Sequence, residues 1–252
     1  WRFTNKKLAE LYHPYTMGET AENVAKQWNI SRQAQDKFAF DSQQKYFAAQ
    51  AENKFKDEIL PVHVQIGKDL FEFDKDEHPR QTTFEKLSQL QPAFVKDGTV
   101  TAGNSSGIND GAAAIILANE KAVKKYGLTP MAKIVSMAVA GVDPAIMGIG
   151  PVAATKKALE RAGLTVADLD LIELNEAFAS QSIACIHDLG LDLEKVNVNG
   201  GAIALGHPLG CSGVRISTTL LHELKKRKAR YGLATMCIGV GQGSAIIFES
   251  IH

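Results

Sequence analysis

Cysteine is scarce in this chain. Of 252 residues only Cys185, Cys211 and Cys237 are cysteines, too few for a disulfide framework and spaced unlike any zinc-binding pattern. That scarcity predicts a reducing, intracellular setting, hence the cytoplasm. Long apolar runs are missing, and the N-terminal residues show no secretory-leader pattern, so no membrane span or membrane partner is expected. Net charge is absent as well: 28 Lys and Arg balance 28 Asp and Glu. No basic face for nucleic acid is implied, and a polyanion is disfavoured as the main partner. Nucleotide-phosphate loops are lacking too. Gly239-Val240-Gly241-Gln242-Gly243 follows a strand-like run but leads into another strand, so it is no dinucleotide fingerprint. Gly201 to Gly206 is followed by His207 rather than lysine, so it is no P-loop. No metal and no resident cofactor are expected.

The chain is 45% hydrophobic and 22% charged, enough to bury a core of one large domain or two modest ones. Residues 1 to about 60 read as helical. Apolar residues recur at helical spacing over Thr20 to Trp28 and Ser31 to Phe55, with Ser31 as N-cap. Residues 61 to 95 are charged and irregular, with a short alternating piece at Leu70 to Phe73 and a turn near His78-Pro79. Small polar residues at Thr101 to Gly107 precede the continuous apolar run Ala112 to Ala118, a pattern that predicts a loop feeding a buried strand.

Lys133 to Ala140 reads as a strand. Gly148-Ile149-Gly150-Pro151 opens a helix with proline in its first turn, and Gly163 closes it. Leu169 to Leu174 is a short strand, Glu176 to Leu189 a helix stopped by Gly190, and Val214 to Leu224 a further helix. Tyr231 to Cys237 and Ser244 to Ile251 are strands. From about residue 110 strand and helix alternate before a closing strand pair, which implies a layered α/β domain with a mixed sheet.

Three stretches carry chemistry. In Asn197 to Gly213, five glycines surround His207, and Pro208 biases it towards an extended conformation. An imidazole just ahead of a helix is well placed for proton transfer beside oriented N–H donors. Asn175 falls at the carboxyl end of a strand, where ligands bind in α/β sheets. Cys237 precedes a glycine turn whose N–H groups suit an oxyanion hole. The plain alternatives are a structural histidine in a tight loop, a buried inert cysteine and, for Met147, core filling. Cys185 reads as core, Cys211 as packing, and Lys225 to Lys228 as a solvated helix end complementing the macrodipole.

Together, the stretches N-E-A-F (175–178), G-G-A-I-A-L-G-H-P-L-G-C-S-G (200–213) and C-I-G-x-G-Q-G (237–243) resemble the thiolases, of the acetyl-CoA acetyltransferase type. The likeness runs along essentially the whole chain. It implies the layered α-β-α-β-α thiolase fold. Residues 1–108 would form an α-rich, coenzyme A-binding loop domain, 109–130 the tail of the N-terminal half, and 131–252 the C-terminal half. The front part, with the acyl-accepting cysteine, is expected to be absent from this chain. In the implied chemistry, Cys237 takes the α-proton of an acetyl thioester. His207 activates the acyl-accepting cysteine and contributes to one oxyanion hole, where Asn175 fixes a water, and the Gly239 N–H belongs to the second hole. Ser106, Phe94 and Ala102 would meet the coenzyme A arm, and Met147 and Phe178 would border the acyl pocket.

Two departures stand out. Val240 replaces the middle of three glycines found in many members, which is expected to reshape the second oxyanion hole. Thr16 stands where relatives that take short acyl groups often have histidine. The implied function is acetyl-CoA C-acetyltransferase activity in fatty acid metabolism, with acyl-CoA and CoA as partners and a homo-oligomer, dimer or tetramer, as the assembly. The alternatives are a non-catalytic, CoA-thioester-binding subunit and a longer-chain 3-ketoacyl-CoA thiolase. A Cys–His hydrolase built on Cys237 and His207 leaves Asn175, Ser106 and the paired glycine loops unexplained.

Overall fold

The computed structural model describes residues 5–251; residues 1–4, at the start of the stretch expected to be helical, lie outside them. Helices α1 (Lys6–Leu11), α2 (Met17–Gln27) and α3 (Arg32–Ala51) come first. Each end has a local cause. Thr16 and Glu19 form a reciprocal capping box at α2. The Ser31 hydroxyl accepts the Ala34 N–H at 3.1 Å, as expected of the N-cap of α3. Residues 61–95 are more ordered than expected. Strands β1 (Val62–Ile66) and β2 (Asp69–Phe73) form an antiparallel hairpin, and α4 (Phe84–Ser88) follows.

Beyond α5 (Glu120–Tyr126) the α/β part begins. Its elements are β3 (Ala132–Gly141), α6 (Gly150–Ala162), β4 (Leu171–Leu174), α7 (Ala179–Leu189), α8 (Ala202–Leu205), α9 (Ser212–Arg227), β5 (Tyr231–Ile238) and β6 (Gln242–Ser250). The sheet runs β3-β6-β5-β4, with β4 parallel to β5 and the other pairs antiparallel, so it is mixed as expected. Successive strand residues face opposite sides, and each face has its own cover. Ala154, Ala158 and Leu159 of α6 and Cys185, Ile186 and Leu189 of α7 pack with Ile172, Leu174, Leu233 and Ile247. Ile216, Leu220, Leu221 and Leu224 of α9 pack with Leu171, Ala234 and Phe248 on the other face. The result is a helix–sheet–helix sandwich. Helices α2 and α3 lie across α7 and α8, where Val24 meets Ala184 and Ala39 meets Ala179 and Ile203.

Two expectations are corrected. Ala112 to Ala118 is not a buried strand: it is irregular and exposed, with Ile116 at 85% and Leu117 at 73%. A strand exists only where a neighbour takes up its backbone N–H and C=O groups, and none of the described strands lies beside this run. Its apolar composition matches a buried strand, but composition supplies no ladder. The helix expected from Glu176 starts instead at Ala179. Ser105 forms a β-bridge with Phe178, and the Ser106 N–H donates to the Ala177 carbonyl at 3.0 Å, which holds 176–178 extended.

Candidate active site

The parallel pair β4 and β5 delivers two of the predicted residues side by side. Leu174 pairs with Thr235, and the Asn175 N–H donates to the Thr235 carbonyl at 3.0 Å. Asn175 therefore leaves the carboxyl end of β4 next to the stretch of β5 that ends in Cys237. Asn175 is fully buried. Its side-chain N–H lies 3.4 Å from His207 Nε2, and its Oδ1 has no partner among the described residues.

His207 is held on every side. Its N–H approaches the Gly107 carbonyl at 3.3 Å and Asn109 Oδ1 at 3.2 Å, and Ile108 forms a bridge with it. The chain reaches this position through Gly206, at φ +94°, where a Cβ would sit 2.5 Å from Asn109 Oδ1. On the ring's other side, Nδ1 lies 2.6 Å from the Ser212 hydroxyl, which in turn lies 3.0 Å from the Pro208 carbonyl. Burial first, and then the Arg215 guanidinium, lower the imidazole's pKa to about 4. The ring is therefore neutral near pH 7.

The glycine loop rests on Glu176, the residue after Asn175. Its carboxylate, 1% exposed, accepts the Ser42 hydroxyl at 2.7 Å, the Asn197 amide at 2.8 Å and the Ile203 N–H at 3.1 Å. The Ser42 hydroxyl accepts the Gly201 N–H at 3.0 Å. One buried carboxylate thus ties α3, the glycine loop and the end of β4 together. Burial raises its pKa, opposed by those hydrogen bonds.

Cys237 sits in a different medium. It is 6% exposed and packs with Ala21, Val100, Met147, Ala177 and Phe178, with Met17 at the edge. Burial pushes its thiol up to about 12, so it rests protonated. The turn after it carries positive φ at Val240 (+68°) and Gly241 (+86°), the signature of a tight hairpin. Valine in that region is strained, so the departure from glycine is a backbone departure. Gly239, ahead of this pair, lies close to Met17.

The remaining predicted residues lie round this centre. Phe94, 45% exposed, makes an edge-to-face contact with Phe178 at 5.9 Å between ring centroids. Ser106 is half-buried beside Ala177, and Ala102 is exposed at the turn before it. Glu22 holds this turn by accepting the Thr99 and Val100 N–H groups, and Asp36 by accepting the Asn104 amide. The structure thus brings Asn175 to His207 and packs Met147 and Phe178 with Cys237, with Phe94 against Phe178, while Ala102 is exposed. Cys185 is buried core as expected. The basic run ends α9, with Arg227 paired to Glu223 at 2.6 Å and Lys226 on the Lys54 carbonyl.

Sequence reasoning passed over Ser212, Glu176, Asn109 and Arg215. Glu176 had a partial signal, a carboxylate beside Asn175 at the end of the run Leu171 to Leu174, which Glu173 already interrupts. Ser212 had a weaker one, a hydroxyl one helical turn beyond Pro208. Asn109 and Arg215 had none, because only the tertiary fold brings them to the loop. Arg215 Nε and Nη2 and Glu173 Oε2 are buried without a partner among the described residues. Glu173, on the α9 side of β4 by alternation, has its carboxyl raised to about 8 by burial, against the pull of Arg215.

Comparison with known proteins concerns the family and the fold. The thiolase N-terminal domain family matches residues 2–121 and the thiolase C-terminal domain family matches residues 128–250. An acetyl-CoA acetyltransferase of Allochromatium vinosum is 56% identical over 96% of this chain and 62% of its own length. A beta-ketoadipyl-CoA thiolase of Pseudomonas putida is 54% identical over 100% of this chain and 64% of its own. Human mitochondrial 3-ketoacyl-CoA thiolase, solved in complex with CoA, superposes with a TM-score of 0.90 at 53% identity, over 94% of this chain and 59% of that one. The chain thus spans about three fifths of the length of such relatives.

Proposed function

The chain belongs to the thiolase family, and from that premise we propose that it is the larger part of an acetyl-CoA C-acetyltransferase. The reaction is the condensation of two acetyl-CoA to acetoacetyl-CoA and CoA, and its reverse. The observation that carries this reading is the convergence at one sheet end of a neutral His207, a buried Asn175 and a Cys237 walled by Met147 and Phe178. The proposed division is 1–108 as loop domain, 109–130 as tail of the N-terminal half and 131–252 as C-terminal half.

In thiolysis, an acyl-accepting cysteine outside this chain attacks the ketone carbon of acetoacetyl-CoA, and His207 takes that cysteine's proton at Nε2. The carbon–carbon bond breaks, leaving an acetyl group on the cysteine and an acetyl-CoA carbanion. That carbanion takes its proton from the Cys237 thiol. A second CoA then attacks the acetyl thioester, giving its thiol proton to the Cys237 thiolate; the freed cysteine takes its proton back from His207, and acetyl-CoA leaves. A thiol held near 12 is the resting form this direction needs, because protonation of the carbanion is its task. In condensation the same proton must leave before Cys237 can act as base. Asn175 is placed to hold a water, and the Gly239 N–H serves the thioester oxygen. Ser106, Phe94 and Ala102, half-buried to exposed, flank the path to this centre and form the proposed groove for the coenzyme A arm.

The packing of Met17, Met147 and Phe178 against Cys237 favours a short acyl group over the longer 3-ketoacyl alternative. The test is thiolysis kinetics on protein that includes the acyl-accepting cysteine, with acetoacetyl-CoA set against longer 3-ketoacyl-CoA substrates. The expected result is preference for acetoacetyl-CoA and a loss of about 10²–10⁴ in kcat in both His207→Ala and Cys237→Ala. Thioester binding without turnover by the complete protein would establish the non-catalytic alternative, and simple thioester hydrolysis the hydrolase one.

A further inference from the structure

We propose that Ser212 is a positioning residue that sets the tautomer of His207, keeping the ring proton on Nδ1 and leaving the Nε2 lone pair towards Asn175. The inference deepens the proposed reaction and rests on it only for its consequence, not for its geometry. Ser212 is the first residue of α9 and is completely buried. Its oxygen has two neighbours, His207 Nδ1 at 2.6 Å and the Pro208 carbonyl at 3.0 Å.

A carbonyl only accepts, so the contact to Pro208 uses the single hydroxyl proton. The oxygen then faces Nδ1 as an acceptor, and Nδ1 must carry hydrogen to use it. On the opposite side the Asn175 amide N–H points at Nε2 from 3.4 Å. A donor there agrees with a lone pair on Nε2. Asn175, His207, Ser212 and Pro208 thus form one directional chain of hydrogen bonds, each donating to the next.

The choice of a hydroxyl has a chemical consequence. A carboxylate behind Nδ1 would stabilise the imidazolium, as in serine hydrolases. A neutral hydroxyl orients the ring without adding charge. The low imidazole pKa agrees with that arrangement, its cause being burial and the Arg215 charge. When Nε2 takes a proton, both ring nitrogens bear hydrogen, Ser212 still accepts from Nδ1, and the new Nε2–H can face an oxyanion. One fixed ring pose then serves as base and afterwards as donor.

The experiment is long-range proton–nitrogen correlation NMR on protein labelled with ¹⁵N-histidine at pH 7.5, with the His207 signals assigned through His207→Gln. The expected wild-type pattern has Nδ1 protonated and Nε2 bare. Ser212→Ala should shift the tautomer ratio towards Nε2–H by roughly tenfold, the loss of one hydrogen bond, and Ser212→Thr should restore the wild-type pattern. A backbone amide spectrum verifies that each variant is folded, and because Ser212→Thr retains the hydroxyl, an altered fold in Ser212→Ala leaves the wild-type and threonine patterns to decide. A protonated Nε2 in the wild type, or an unchanged ratio in folded Ser212→Ala, overturns the assignment. The readout needs no substrate, so its failure leaves the thiolase reading standing, and failure of thiolysis leaves the tautomer result standing.

Discussion

His207 and Cys237 reach the same sheet end by opposite means. The histidine loop is fixed by hydrogen bonds: the His207 N–H donates to the Gly107 carbonyl and Asn109 Oδ1, its Nδ1 meets the Ser212 hydroxyl, and the Ile203 N–H donates to Glu176. The cysteine side chain, carried on the β5–β6 ladder, is walled by apolar side chains, Met147 and Phe178 among them. On the proposed reaction, the contrast follows from what each group would do. A ring that must present one nitrogen needs direction, which hydrogen bonds supply and dispersion does not. A thiol that, in the proposed reaction, holds its proton until a carbanion appears needs a dry wall, and burial raises its pKa.

The sharpest way to break this contrast is to remove the polar clamp. Glu176→Ala leaves the Ser42 hydroxyl, the Asn197 amide and the Ile203 N–H without their acceptor. The expected loss is about 3–5 kcal/mol of stability, read by urea unfolding; a loss under about 1 kcal/mol would mean that the clamp holds little. Next comes the thiol. With its pKa near 12, Cys237 should alkylate on the order of a thousandfold more slowly than a free thiol at pH 8, while the less buried Cys211 reacts first. Mass mapping of iodoacetamide adducts over time reads that order, and a Cys237 that leads it refutes the apolar picture.

The smallest effect is on the pH profile. The depressed His207 gives stability that is present above pH 6.5 and lost as pH falls through about 4, because the unfolded chain binds the proton more readily. The raised Glu173 does the reverse: its contribution is full below pH 4.5 and lost as pH rises through about 8. Thermal midpoints of His207→Gln should therefore fall less than wild type between pH 6.5 and 4.5. Those of Glu173→Gln should fall less between pH 5 and 8.

The α/β part was legible where local chemistry decides structure. Pro151 and Gly163 mark α6 and Gly190 marks the end of α7, because proline and left-handed glycine act within a turn. The three motifs identified the strand ends and loops that carry Asn175, His207 and Cys237. What escaped is non-local. Ala112 to Ala118 has a strand's composition, but a strand is a property of pairs. The start of α7 slipped because the 105–106 turn, about seventy residues away, captures 176–178. Ser212 and Asn109 stayed silent for the same reason, since neither residue's local pattern tells where the imidazole ring will lie.

The Glu176 carboxylate also bears on the order in which the molecule assembles. Its contact with Ser42 spans 134 residues, and the Gln43 contact with Ile203 spans 160. The β5–β6 hairpin, by contrast, closes over a few residues. Loop closure across such distances is slow relative to hairpin formation, so the β5–β6 hairpin should form before α3 docks on the glycine loop. Recovery of the buried amide of Ile203 in pulsed hydrogen exchange should then lag behind that of the β5–β6 ladder. A chain caught before that step would hold most of its secondary structure and no working histidine.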